Sequence, residues 1–257
     1  MDIQSFQQKI LSWYEKNKRD LPWRKTTNPY HILVSEIMLQ QTQVDRVIPY
    51  YLKFLKSFPD LKNLANASKE NLLNHWSGLG YNNRVLRLQK LAQLLTTQNK
   101  NIPHNEIELR SLPGIGPYTA KAILAFAFNQ EVSVIDTNIR RIYIHELKLN
   151  ENSSLKEIET LALKCIPKGK SCIWHNALMD YGALVLTAHK TKIKSLSQQS
   201  NFISSDRFLR GQVIKILLQK KEITLEQLQE QFKYPNTKEI LAKMQEENVI
   251  EINKNKI

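Results

Sequence analysis

The chain has 257 residues, 42% of them hydrophobic, and a formal charge of +13 at pH 7: enough for two compact modules, with a charge that suits a polyanion such as nucleic acid or reflects a lysine-rich genome. The excess sits early, since residues 1–204 hold 27 basic and 16 acidic residues and the remainder 10 and 8. Two cysteines, Cys165 and Cys172, read as reduced thiols and not as a thiolate cluster, and no apolar run suggests a secretory leader or a bilayer span.

Helices dominate the reading in chain order. Phe6, Ile10, Leu11 and Trp13 recur at helical spacing, and Pro22 in Leu21-Pro22-Trp23 ends that helix. The next is expected over residues 30–44 after Pro29, and another over 47–58, stopped by Pro59. Ser68 caps a helix that runs to Trp76, broken by Gly78-Leu79-Gly80, and residues 84–96 form the following one. Two helices flank Pro113-Gly114-Ile115-Gly116, a pair surrounds Asp136, and residues 173–186 are amphipathic. Residues 190–204 read as a polar linker or a loosely built edge. Beyond it, three helices are expected around Phe208–Leu217, after Thr224, and over 238–246, with a short strand at 249–252. That is the recipe of a winged helix, for which packing on a neighbour and weak DNA contact remain equal readings. The expected fold class is all-α. A two-lobed domain with a groove spans 1–204, and a small winged-helix-like domain spans 205–257.

The sharpest local signal is Leu112-Pro113-Gly114-Ile115-Gly116-Pro117-Tyr118-Thr119. Glycines permit backbone angles that let consecutive amides face outward, and Pro117 suits the first turn of a helix. Gly114, Ile115, Gly116 and Thr119 are therefore candidate ligands for a DNA phosphate. An ordinary turn between helices is the plainer alternative. The string resembles the helix-hairpin-helix of base-excision glycosylases.

Two carboxylates stand where such chemistry needs them. Asp136, in Val134-Ile135-Asp136-Thr137-Asn138, is placed to cap a helix. A carboxylate held there can also stabilise the cation-like sugar formed as an N-glycosidic bond breaks. Glu36 lies among Ile37, Met38 and Leu39, surroundings that raise a carboxyl pKa and keep a proton available for a purine leaving group. An exposed helix glutamate is the competing reading.

With Ser35-Glu36-Ile37-Met38-Leu39-Gln40-Gln41-Thr42-Gln43, Leu21-Pro22-Trp23-Arg24, Gly78-Leu79-Gly80-Tyr81 and Asp136-Thr137-Asn138, residues 5–204 are similar to the MutY-type adenine DNA glycosylases. The resemblance implies Glu36 as general acid and Asp136 as the stabiliser of the sugar cation. It implies Trp23, Arg24 and Leu39 around adenine, with Gln41, Thr42 and Leu79 on the opposite purine and Tyr81 as a wedge. Asn138 and Asn176 complete the expected substrate contacts. In related glycosylase–lyases a lysine attacks the sugar from the place held here by Tyr118. A phenol cannot form a Schiff base, so Tyr118 is expected to support base removal without strand cleavage.

Three departures from the family pattern stand out. Its four-cysteine iron–sulfur loop is replaced by Leu186, Ile193, Leu196 and Phe202, so no cofactor, no iron–sulfur cluster and no other metal is expected. The segment after residue 204 is too short for the family's 8-oxoguanine-reading domain. Asn176 stands where the family often has glutamine. The implied function is a monofunctional glycosylase that removes adenine mispaired with guanine or 8-oxoguanine from double-stranded DNA in base excision repair. It is expected to be monomeric, cytoplasmic and free of membranes. Thymine or uracil excision opposite guanine is the alternative enzyme, and a DNA-binding repair module without catalysis the alternative outside enzymology.

Overall fold

The computed structural model describes residues 1–193, 205–232, 234, 236–253 and 257. Among them the chain folds into fifteen α-helices. These are α1 (Ile3–Asn17), α2 (Pro29–Leu39), α3 (Val44–Ser57), α4 (Leu61–Ala65), α5 (Lys69–Trp76), α6 (Asn83–Thr97), α7 (Glu106–Ser111) and α8 (Pro117–Phe128). Then come α9 (Thr137–Glu146), α10 (Leu155–Lys164), α11 (Ser171–Leu184), α12 (Ala188–Thr191), α13 (Asp206–Lys220), α14 (Leu225–Phe232) and α15 (Thr237–Glu246). A 3-10 turn covers Pro22–Lys25. The all-α class stands, and no helix of the described residues is long and apolar enough to cross a membrane.

Local chemistry sets many of the boundaries. Asp2, Asp60, Ser68, Asn105 and Asp136 each accept the backbone N–H three residues on, satisfying a donor the first helical turn leaves unpaired. Ser154 and Glu157 form a reciprocal capping box at α10. The helix expected over 30–44 is shorter, and the one expected from residue 47 begins earlier. The first stops at Leu39 because Gln41 takes a left-handed conformation (φ +57°), which no interior helical residue adopts, and α3 starts afresh at Val44. Helix α12 occupies the start of the expected linker; residues 194–204 lie outside the described residues.

The chain divides into two compact units that do not follow chain order. One comprises residues 1–36 and 102–198, the other 37–101 and 199–257. In the first, α1, α9 and α11 enclose Phe6, Ile10, Ile142, Tyr143, Trp174 and Leu178. The rings of Tyr143 and Trp174 stand edge-on to Phe6 at centroid distances of 5.7 and 5.4 Å, a favoured aromatic geometry. In the second, Phe54, Leu64, Leu72, Trp76, Leu88 and Leu91 are fully buried.

The C-terminal helices α13, α14 and α15 form as expected and belong to this second unit, with α13 against both α5 and α15. The strand anticipated at 249–252 does not form. Val249 and Ile250 are buried, and reciprocal backbone bonds between Ile223 and Ile257, at 2.9 and 3.2 Å, take the place of a hairpin.

Candidate active site

Helix α2 is apolar on nearly every side. Ile32, Leu33, Val34, Ile37 and Met38 are all buried, and Glu36 between them is only 8% exposed. A helix of this pattern is wholly enclosed, so Glu36 is not an exposed helix glutamate. Burial, and then the nearby charge of Asp136, push its pKa up to about 8. At neutral pH it carries a proton, as a general acid requires.

Asp136 is the N-cap of α9, and its Oδ1 accepts the Ile139 N–H at 2.7 Å. Burial raises its pKa, while the backbone N–H groups of Ile139 and Asn138 and the charge of Arg141 oppose the rise. Burial raises both carboxyls, and of the two only Asp136 has backbone donors and a nearby positive charge that oppose the rise. Tyr118 joins them on the first turn of α8. Its pKa lies well above the ordinary phenol value through burial and the charges of Glu36 and Asp136, so it stays a neutral phenol. All three belong to the first unit.

Trp23 is buried in the 3-10 turn. Arg24, beside it, is directed at Asp180, with Nη1 and Nη2 2.7 and 2.8 Å from the two carboxylate oxygens. Arg19 adds a third contact through Nε at 2.6 Å. Burial alone would raise the Asp180 pKa, but these arginines outweigh it and hold it below the ordinary value. Arg24 also donates to the Asn176 carbonyl at 3.4 Å, while the Asn176 amide faces the Cys172 sulfur at 3.5 Å. Asn138 Oδ1 accepts from Arg141 at 2.9 Å, and Leu39, half-buried, is the last residue of α2.

Gln41, Thr42, Leu79 and Tyr81 come together in the second unit, around one cavity. Gln41 and Tyr81 both have positive φ, +57° and +47°. Such conformations in residues with side chains persist only where the surroundings enforce them. The enforcing group is Arg84. Its Nη1 donates to the carbonyls of Ile37 at 2.7 Å and Gln40 at 2.6 Å, and its Nη2 to that of Gly80 at 3.0 Å. One buried guanidinium thereby joins the carbonyls at the end of α2 to the glycine loop.

At the hairpin, Gly114 has φ +82°. Ile115 is buried and its N–H is committed to the Leu112 carbonyl at 3.2 Å, so it serves the turn itself. Gly114, Gly116 and Pro117 form the exposed edge. A side chain added at Gly116 would meet nothing within 4 Å, which leaves room for a phosphate to reach the backbone. Thr119 lies one turn in and is buried.

The residues at the iron–sulfur positions do not fit that group. Leu186 and Ile193 are packed into the core of the first unit, where hydrocarbon side chains offer iron no ligand; Leu196 and Phe202 lie outside the described residues. Cys165 is buried and Cys172 half-buried, both as free thiols. Asp180, Arg84 and Arg207 were not singled out in the sequence. Arg84 lies three residues after Tyr81 and reads as any surface arginine, and Asp180 gains its meaning only from arginines 156 and 161 positions away.

Comparisons with known proteins agree with this geometry. Residues 34–168 match the model of a family described as HhH-GPD superfamily base excision DNA repair protein. An adenine DNA glycosylase of Buchnera aphidicola subsp. Baizongia pistaciae is 44% identical over 187 residues, 70% of this chain and 52% of that protein. The adenine DNA glycosylase of Mus musculus is 35% identical over 226 residues, 82% of this chain and 44% of its own. The chain thus spans about half the length of these curated relatives. Among solved structures, a thermostable thymine-DNA glycosylase is similar with a TM-score of 0.67 and 29% identity, covering 73% of this chain and 89% of that one.

Proposed function

The chain belongs to the HhH-GPD superfamily of base excision DNA repair proteins, and from that membership we propose that it is a monofunctional DNA glycosylase that hydrolyses the N-glycosidic bond of adenine mispaired with guanine or 8-oxoguanine. The observation that carries the reading is Glu36, a buried carboxyl with a pKa of about 8 in the field of a capped Asp136. A purine departs readily only once protonated. Glu36 supplies that proton at N7, the electrons of the N-glycosidic bond leave with the base, and the Asp136 carboxylate stabilises the cation-like sugar. Water then adds to the anomeric carbon and gives up a proton, leaving an abasic site. Tyr118 cannot take the amine's part, so the strand stays joined.

The partner in this reading is a mismatched duplex, because the scissile bond is reached only when the nucleotide leaves the stack. The exposed edge of the hairpin supplies phosphate contact without base readout. We further propose that it works without an iron–sulfur cluster.

A second reading, thymine or uracil excision opposite guanine, draws on the likeness to a thymine-DNA glycosylase. Duplexes with labelled A•G, A•8-oxoguanine, T•G or U•G pairs, treated with alkali after incubation, separate the two. Alkali-dependent cleavage at adenine is expected. Cleavage at thymine or uracil alone would replace the first reading with the second, and cleavage without alkali would refute the monofunctional assignment.

A further inference from the structure

Arg207, in the first turn of α13, reaches the cavity formed by Gln41, Thr42, Gln43, Leu79 and Tyr81. Its Nη1 donates to the Tyr81 hydroxyl at 2.7 Å, and its guanidinium carbon lies 5.4 Å from the centre of the Tyr81 ring. Arg84 lies at the same distance from that ring. Tyr81, in its left-handed conformation, is therefore held from two sides. One hold comes from within residues 37–101 and the other from the C-terminal segment. Helix α13 is itself fixed to this unit by packing on α5 and by the Lys221–Glu70 ion pair.

The cavity measures about 190 Å³, below the roughly 300 Å³ at which drug-sized sites begin and suited to one nucleobase. Its walls combine the apolar Leu79 and the ring of Tyr81 with amide and hydroxyl groups and the guanidiniums of Arg46 and Arg207, and no carboxylate lines it. A planar heterocycle rich in acceptors satisfies such a wall. Guanine shows O6 and N7 on one edge, the pair that an arginine fork matches.

We propose that residues 205–257 are a working part of the lesion-reading site. Arg207 completes the pocket for the guanine-type base opposite the excised one and anchors Tyr81 beside it. The proposal rests on the glycosylase reading above and adds to it a reader of the opposite base carried on α13.

Equilibrium binding to A•G, A•8-oxoguanine and A•T duplexes tests this without requiring turnover. The full chain, Arg207→Ala, Arg207→Lys, Tyr81→Phe and the Arg207→Ala/Tyr81→Phe double variant are compared. A 2-aminopurine beside the mismatch reports unstacking by the wedge. Arg207→Ala is expected to reduce the preference for guanine-type mismatches over A•T roughly 10- to 100-fold, the range for one bidentate base contact, and to lower the 2-aminopurine signal. Arg207→Lys is expected to retain A•T affinity and still lose preference, because it keeps the charge without the fork. Tyr81→Phe should add less in the double variant than alone, since the two side chains share a bond.

Equal losses on all duplexes, with a shallower salt dependence, would make Arg207 a phosphate contact and overturn the proposal. Unchanged preference would overturn it as well. If the alanine variant melts early, the lysine variant decides by the same criteria. A wild-type protein that prefers guanine-type mismatches but releases no adenine would sink the glycosylase reading and leave this one standing.

Discussion

In the proposed reaction the Asp136 carboxylate serves both as the cap of α9 and as the group that stabilises the sugar cation, and the cap offsets part of the cost of burying its charge. Asp136→Asn retains an oxygen for the Ile139 N–H but loses the charge. Base release in a single turnover is expected to fall at least about 100-fold, on the scale of losing one electrostatic contact to the transition state, with melting temperature and duplex binding little changed. A loss of tenfold or less would remove Asp136 from the chemistry. Glu36 makes a separate claim on stability. Its folded pKa of about 8 lies above its ordinary value of 4.5, so the native state holds the proton more tightly than the unfolded one. That contribution is complete below pH 4.5 and is lost as pH rises from there through about 8. Glu36→Gln is expected to melt higher than wild type at pH 9, with the gap closing toward pH 5; a constant gap would mean the carboxyl is not buried as described.

Two glycines separate folding from binding at the level of the element. Gly78 has φ +106°, and an added Cβ would sit 2.1 Å from the Tyr50 hydroxyl, so Gly78→Ala is expected to cost about 1–3 kcal/mol of stability. Gly116 has ordinary backbone angles and open space around it. Gly116→Ala is expected to melt like wild type yet bind duplex more weakly, because the new methyl stands where a phosphate would approach. Unchanged affinity would show that the hairpin holds no phosphate there. Arg84→Ala removes the donor that ties Ile37, Gln40 and Gly80 together. Loss of mismatch preference together with lowered stability is expected, read by duplex binding and thermal melting. The sequence made the caps, the hairpin glycines and the α2 motif legible because each is written in a few adjacent residues. It concealed the break at Gln41, since nothing in Leu39-Gln40-Gln41-Thr42 opposes a helix and the distant Arg84 enforces the turn. The α10 capping box, Ser154 to Glu157, is likewise written in four adjacent residues.

The whole chain shows where local reading ends. The sequence set residues 205–257 apart because composition changes there, whereas contacts group them with residues 37–101, a relation between segments far apart in the chain. Charge similarly pointed to DNA without indicating which surface would meet it. The loop beyond α11 is the other long-range feature, for Leu186 and Ile193 enter the same core as Ile139 and Trp174. Leu186→Ala is expected to lower stability by about 2–5 kcal/mol, as for other buried leucines, in protein purified without air and free of stoichiometric iron and sulfide. Iron found in such preparations would contradict the proposal of a glycosylase that needs no cluster.

In the proposed reaction a buried glutamic acid hands its proton to adenine, and the rate of adenine release against pH measures that step. Single turnovers on an A•8-oxoguanine duplex, with the free base quantified between pH 5 and 10, are expected to show a plateau that declines above about pH 8, with Glu36→Gln far below wild type throughout. Adenine release that stays level to pH 10 and survives Glu36→Gln, or no adenine release at any pH, would contradict it.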